Sequence, residues 1–171
     1  HPETLPLPDI AVAADLRDYQ KEGVKWLSML DKYGFGGILA DDMGLGKTLQ
    51  TIAFLSSRLT KETRVLILAP ASLIYNWQEE FHRFAPEIDM AVVYGHKAER
   101  EVLLGQQHQV LVTSYASFRQ DIELYRKTKQ YDYLILDEAQ VMKNSQTKIA
   151  QQLRDFEVGN CFALSGTPIE N

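Results

Sequence analysis

The chain has 171 residues, 45% hydrophobic and 24% charged, with a formal net charge of −5. These proportions fit one soluble globular domain of residues 16–171 and exclude a mainly disordered chain. No apolar run reaches the ~18 residues of a membrane span. A single cysteine excludes an internal disulfide framework and a cysteine-based zinc site, and fits a reducing compartment. The acidic balance excludes coating of nucleic acid by bulk charge but not a local basic strip.

Residues 1–15, with Pro2, Pro6 and Pro8, read as an extended lead-in, because proline fixes its own φ and disfavours helix at the residue before it. The chain opens at His1 without an initiator Met or signal peptide and closes at Asn171; both ends read as cut, with more chain expected beyond Asn171. From Leu16 the spacing of Leu16, Gly23, Val24, Leu27 and Leu30 predicts an amphipathic helix ending at Gly34. Gly36–Ala40 is a short buried-strand candidate, followed by a Gly-rich turn and a helix marked by Leu49, Ile52, Ala53 and Ser56.

The alternation then repeats. Arg64–Ala69 predicts a strand; Leu73, Trp77, Phe81 and Phe84 predict a helix. Met90–Tyr94 predicts a third strand, residues 96–104 a polar helix, and Val110–Thr113 a fourth strand. Ser117–Lys127 is a charged helical stretch, and Tyr133–Leu136 a fifth strand. Ile149, Leu153 and Phe156 lie on a helix that Asn144 or Ser145 would cap, and Cys161–Leu164 is a sixth strand. Strands apolar throughout are covered on both faces, and with helices between them they imply a three-layer α/β domain with six or seven mainly parallel strands.

Asp41-Asp42-Met43-Gly44-Leu45-Gly46-Lys47-Thr48 lies between a predicted strand and helix. Such a loop turns backbone N–H groups inward to cradle phosphates, and the helix N-terminus adds positive potential. Gly44 and Gly46 permit close approach, Lys47 would reach the β- and γ-phosphates, and the Thr48 hydroxyl would sit on Mg²⁺. Asp41 stands where the general phosphate-loop pattern has its first glycine. The second signal is Asp137-Glu138-Ala139-Gln140, directly after the strand Leu134-Ile135-Leu136. Carboxylates at a strand's C-terminal end face the crevice where open α/β sheets bind ligands. Asp137 is suited to hold Mg²⁺ through water, and Glu138 to orient and deprotonate an attacking water.

In this order of motifs the sequence resembles the first motor lobe of helicase superfamily two, within the Swi/Snf class of chromatin-remodelling-type DNA translocases. The resemblance runs from Leu16 over nearly the whole chain. Leu16-Arg17-Asp18-Tyr19-Gln20 is similar to that class's adenine-reading motif, which implies ATP contacts by Arg17 and Gln20, with Gln20 on the adenine edge. Leu39–Thr48 is close to its phosphate loop, which does not require the first glycine and includes Met43 and Leu45. Ala69-Pro70-Ala71-Ser72-Leu73, with Asn76-Trp77 and Glu80-Phe81, resembles a segment particular to this class, and Thr113-Ser114-Tyr115 a strand-contacting motif. Leu164-Ser165-Gly166-Thr167-Pro168-Ile169 resembles the motif that couples hydrolysis to DNA movement. Gln140 stands where the class usually has His; it has no ionisable proton, which bears on coupling to Thr167 and the second lobe.

The resemblance implies a RecA-like P-loop lobe that uses ATP and Mg²⁺, contacts the backbone of double-stranded DNA, and works with a second motor lobe absent from these residues. The isolated lobe is expected to be a monomer that turns over slowly. The setting would be cytoplasmic and nucleoid-associated in a bacterium, or nuclear in a eukaryote. A strand-separating or RNA-acting helicase lobe, a nucleotide-dependent binding module and a P-loop enzyme unrelated to nucleic acid stand as alternatives.

Some residues have blander readings. Trp77 has the spacing of a core residue, with base stacking as the alternative. Cys161 reads as a small buried apolar group. His1, His82, His96 and His108 lack metal-ligand spacing, and Gln120–Lys129 reads as a solvated face. Ser72, Thr113 and Ser114 are either capping residues or, by the resemblance, phosphate-backbone contacts.

Overall fold

A computed structural model describes residues 37–40, 46–128, 130–138, 152 and 158–165. Strand β1 (Gly37–Ala40) precedes helix α1 (Lys47–Arg58), and β2 (Val65–Ala69) precedes α2 (Ile74–Phe84), with a 3₁₀ turn at Ala71–Leu73 between them. Then follow β3 (Met90–Val93), α3 (Lys97–Gly105), β4 (Val110–Ser114), α4 (Tyr115–Gln120), α5 (Ile122–Thr128), β5 (Tyr131–Leu136) and β6 (Val158–Ser165). The six strands form one sheet in the order β1-β6-β5-β2-β4-β3, every pairing parallel. This is the α/β architecture that the uninterrupted apolar strands predict, and it agrees with the RecA-like lobe that the resemblance implies. The expected helix from Leu16 lies outside the described residues, as does the one at Ile149–Phe156 apart from Gln152.

All five residues of β2 are fully buried. Side chains alternate across a strand, and β2 divides accordingly between two cores. Val65, Ile67 and Ala69 meet Ile52, Phe54 and Leu55 of α1 and Ile74, Trp77 and Phe81 of α2. Leu66 and Leu68 meet Leu104 of α3, Phe118 of α4 and Tyr125 of α5. Helices therefore cover both faces of the sheet. Phe54 meets the edges of Tyr133 and Phe162 at centroid distances of 5.8 and 5.4 Å, and such contacts add about 0.5–1.5 kcal/mol each beyond the area they bury.

Strand β5 begins at Tyr131, two residues before the expected start, and two further elements differ more. Strand β6 begins at Val158, before the apolar run at Cys161. It pairs with β5 from Tyr131↔Val158 onward, and with β1 from Gly37↔Phe162. At Gly159 a Cβ would stand 2.8 Å from the Asp132 carbonyl oxygen, so glycine is what permits this close pairing. The stretch read as one helix over Ser117–Lys127 divides into α4 and α5 at Asp121. Asp121 is 3% exposed and accepts from Arg100 Nε at 2.6 Å and Nη2 at 3.0 Å, while Arg100 Nη1 donates to the Gly95 carbonyl at 2.5 Å. A buried long-range ion pair fixes the break, and helical spacing carries no trace of it.

Cys161, read as a buried apolar group, is half-buried against the second core, and this burial pushes its thiol up to about 11. At pH 8 its thiolate population, and so its reaction with an aromatic disulfide reagent, should be roughly 100-fold below that of an unfolded thiol. Native and denatured rates measured side by side check this; equal rates would place Cys161 in solvent.

Candidate functional site

Because every strand pairing is parallel, the loops leaving the C-terminal ends of the strands emerge on one edge of the sheet. The segment after β1 arrives at Gly46, which caps α1 with φ 87°, a left-handed conformation that favours glycine. The first turn closes by Gln50 N donating to the Gly46 carbonyl at 2.8 Å, and Thr51 Oγ1 donates to the Lys47 carbonyl at 2.8 Å. The loop thus delivers Lys47 and Thr48 at the start of a 12-residue helix with no acidic residue in its first turn. Lys47 is buried and Thr48 half-buried.

The segment after β5 arrives one strand beyond β6, at Asp137 and Glu138. Lys47 Nζ donates to Asp137 Oδ1 at 2.6 Å and also to Glu138 Oε2. The cation and both carboxylates lie 90 and 91 positions apart in sequence and meet in one cluster. Burial is the largest influence on Lys47 and by itself lowers its pKa. The hydrogen bonds and charges of Asp137 and Glu138 together outweigh it, so Lys47 is held above its ordinary value.

Asp137 is 2% exposed and anchored from several elements. Its N–H donates to the Leu68 carbonyl of β2 at 2.7 Å. Its Oδ2 accepts from Trp77 Nε1 at 2.8 Å, and its Oδ1 accepts from the Glu138 N–H at 2.8 Å. Its carbonyl accepts from the Tyr115 hydroxyl at 2.7 Å. Glu138 follows with φ 52°, a left-handed conformation that costs about 1–3 kcal/mol in a non-glycine residue and recurs at functional sites. Burial, then the charges of Asp137, Cys161 and Glu138, push the Tyr115 hydroxyl far above its ordinary pKa, so it is a permanent donor.

What sequence reasoning missed is that Trp77 and Tyr115, both within the quoted motifs, hold Asp137. Spacing places Trp77 in the core, where it is fully buried, and that burial removes base stacking as a role. The available signal was chemical: a buried indole N–H requires an acceptor. Ser72 is exposed in the 3₁₀ turn after β2. Thr113 is fully buried and its hydroxyl donates to the Val93 carbonyl at 2.6 Å. Ser114 is 3% exposed and caps α4, accepting from the Ser117 N–H at 3.1 Å. The capping alternative therefore describes Ser114. Ser165 ends β6 opposite Ala40 of β1. Arg17, Gln20, Met43, Gly44, Leu45, Gln140, Gly166 and Thr167 lie outside the described residues.

Carboxylate and hydroxyl oxygens are the ligands Mg²⁺ takes, usually one or two carboxylates together with substrate phosphates and water. Asp137 with Thr48 fits that pattern: Asp137 Oδ1 already faces a cation, Lys47 Nζ. Among the described residues no group of three or more His, Cys, Asp or Glu side chains could hold a metal ion, and no helix is long and apolar enough to cross a membrane. His108 contacts Asp89 at 2.9 Å and Gln106 at 2.7 Å on the surface, away from this cluster.

A parallel α/β sheet with a Gly-Lys-Thr helix start and an Asp-Glu pair meeting at its C-terminal edge defines a RecA-like P-loop lobe. The family model described as SNF2-related domain matches residues 19–171, and the chain belongs to that family. It is 44% identical over 160 residues to an uncharacterized ATP-dependent helicase of Mycoplasma pneumoniae, covering 91% of this chain and 15% of that protein. It is 42% identical over 178 residues to the TATA-binding protein-associated factor MOT1 of Saccharomyces cerevisiae, covering 95% of this chain and 10% of that protein. A solved Sulfolobus solfataricus SWI2/SNF2 ATPase core in complex with dsDNA matches with a TM-score of 0.86 and 38% identity, over 98% of this chain and 35% of that one. The chain thus spans 10–15% of these two curated relatives.

Proposed function

We propose that this chain is the ATP-binding lobe of a double-stranded-DNA-dependent ATPase that hydrolyses ATP to ADP and phosphate and uses the cycle to move along a duplex. The observation that carries this reading is the meeting of Lys47 with Asp137 and Glu138 across β6. With nucleotide present, Lys47 turns from the carboxylates to the β- and γ-phosphates, and the amides at the start of α1 receive phosphate oxygens. Thr48 and Asp137 would hold Mg²⁺, which when bound neutralises phosphate charge. Released from Lys47, Glu138 orients the attacking water in line with the γ-phosphate and takes its proton.

By family resemblance, Gln20 selects adenine with Arg17 nearby, Met43, Gly44, Leu45 and Gly46 shape the phosphate loop, and Ser165, Gly166, Thr167 and Gln140 couple nucleotide state to lobe motion. Ser72 is exposed, which supports a contact between its hydroxyl and a DNA phosphate. Thr113 is fully buried and Ser114 nearly so, with both hydroxyls engaged internally, so neither side chain is offered to a DNA phosphate. Phosphate contacts of this kind position DNA without reading its sequence. The complex of the Sulfolobus core with dsDNA supports a duplex partner.

The test is ATP turnover of a chain extended to include a second lobe, with no nucleic acid, duplex DNA, single-stranded DNA or RNA, and Lys47→Ala as the blank. Stimulation by duplex DNA alone is the expected result. Equal turnover in all four conditions would leave an ATPase and remove DNA from the account. The Mycoplasma relative is named a helicase, which keeps strand separation as a second reading; displacement of a strand from tailed duplexes decides between the two.

A further inference from the structure

The two oxygens of Asp137 have unlike partners. Oδ1 accepts from Lys47 Nζ at 2.6 Å and from the Glu138 N–H at 2.8 Å, whereas Oδ2 accepts from Trp77 Nε1 at 2.8 Å. In the proposed cycle Lys47 leaves for the phosphates, and Oδ1 then loses its cationic partner. The terminal torsion of aspartate is broad and roughly twofold, so a carboxylate held at one end by a single backbone N–H is poorly fixed. The Trp77 bond lies on the other oxygen and belongs to a rigid element. Trp77 is fully buried in α2, packed within the core shared with Ile67 and Ile135, its ring centroid 6.2 Å from that of Phe81. Phe81 fills the same core with no polar atom; only the indole adds a donor aimed at the carboxylate.

We propose that Trp77 is a positioning residue, whose indole N–H holds Asp137 Oδ2 so that Oδ1 stays turned toward the phosphate loop when Lys47 moves to the nucleotide and Mg²⁺ takes its place. A neutral donor suits this task. A lysine or arginine at the same point would also satisfy the carboxylate but would repel the incoming cation. From α4, the Tyr115 hydroxyl fixes the backbone of the same residue through the Asp137 carbonyl at 2.7 Å. Side chain and main chain of Asp137 are thus held from two separate helices. The inference rests on the ATP-binding reading above.

The test compares ADP affinity of the chain with Mg²⁺ and with EDTA by calorimetry. Trp77→Phe should weaken the Mg²⁺-dependent affinity by roughly tenfold and leave the EDTA value within about twofold, in line with partners of metal-holding carboxylates. Phe81→Leu, which disturbs the same core without touching Asp137, should keep the wild-type ratio of the two affinities even if its Tm falls. An unchanged ratio in Trp77→Phe, or an equal loss in Phe81→Leu, overturns the proposal while wild-type binding keeps the nucleotide reading intact. No ADP binding by the wild type takes down both. Should Trp77→Phe not fold, the wild type still decides: its Trp77 indole N–H resonance, told apart from that of Trp26 by Trp26→Phe, should stay protected from solvent exchange before and after Mg²⁺ and ADP are added. Loss of that protection on adding Mg²⁺ and ADP overturns the proposal.

Discussion

Turnover of ATP by this chain alone should lie ~10³–10⁵-fold below that of the same chain extended by a second lobe, the factor an arginine finger contributes. Charge builds on the γ-phosphate oxygens in the transition state, and Lys47 is the cation that the described residues bring to the site. The arginines whose contacts are known are placed elsewhere, Arg58 over Phe54 at the last turn of α1 and Arg83 over Phe84 at the last turn of α2. Arg100 is bound to Asp121 and to the Gly95 carbonyl. Arg64 donates to the carbonyls of Lys61 and Thr63, just ahead of the N-terminal end of β2 and so at the far edge of the sheet from Lys47. Arg126 pairs with Glu123 on the surface of α5. Single-turnover hydrolysis, followed with and without the added lobe, measures the difference. Hydrolysis by the chain alone at the rate of the extended protein would mean that the lobe carries its own transition-state cation.

The strands and the residues of the proposed phosphate site were legible because both leave local marks. Val65-Leu66-Ile67-Leu68-Ala69 has no polar interruption, and a strand of that kind is covered on both faces. Gly46-Lys47-Thr48 and Asp137-Glu138 are short motifs whose residue types match what binding of phosphate and a metal ion would require. That they face each other also followed from topology, since parallel strands send their outgoing loops to one edge. What sequence could not disclose was the company each group keeps across long separations. Trp77 and Asp137 are 60 positions apart, and Arg100 and Asp121 are 21 apart. Helical spacing assigned Trp77 to the core correctly, but it has no means of saying where the indole N–H points. The same limit made Ser117–Lys127 read as one helix, because the residue that breaks it, Asp121, is held by a partner on α3.

Replacing Lys47 by alanine should destabilise the nucleotide-free chain as well as remove phosphate binding, and Mg²⁺ should repair part of the first effect. Lys47 is the cation between two carboxylates, with side-chain exposures of 8% for Lys47, 2% for Asp137 and 23% for Glu138. Taking one partner from a buried pair costs about 3–5 kcal/mol. The low end applies here, because Glu138 reaches solvent and Asp137 keeps the donors Trp77 Nε1 and Glu138 N–H. A loss of about 3 kcal/mol corresponds to a fall in Tm of roughly 6–12 °C for a chain of this length. A divalent cation can occupy the space between the two carboxylates, so millimolar Mg²⁺ should raise the Tm of Lys47→Ala more than that of the wild type. The pH dependence has a definite sign. Lys47 is held above its ordinary value of 10.5, so its contribution is fully present below that pH and is lost as pH rises through the higher folded-state value. The Tm gap between wild type and Lys47→Ala should therefore stay level from pH 7 to 9 and close only in strongly alkaline solution, above pH 10.5. Thermal melts across that range, each with and without Mg²⁺, test both points. A variant as stable as the wild type at pH 7 would mean that the contacts of Lys47 with Asp137 and Glu138 contribute nothing to the nucleotide-free fold.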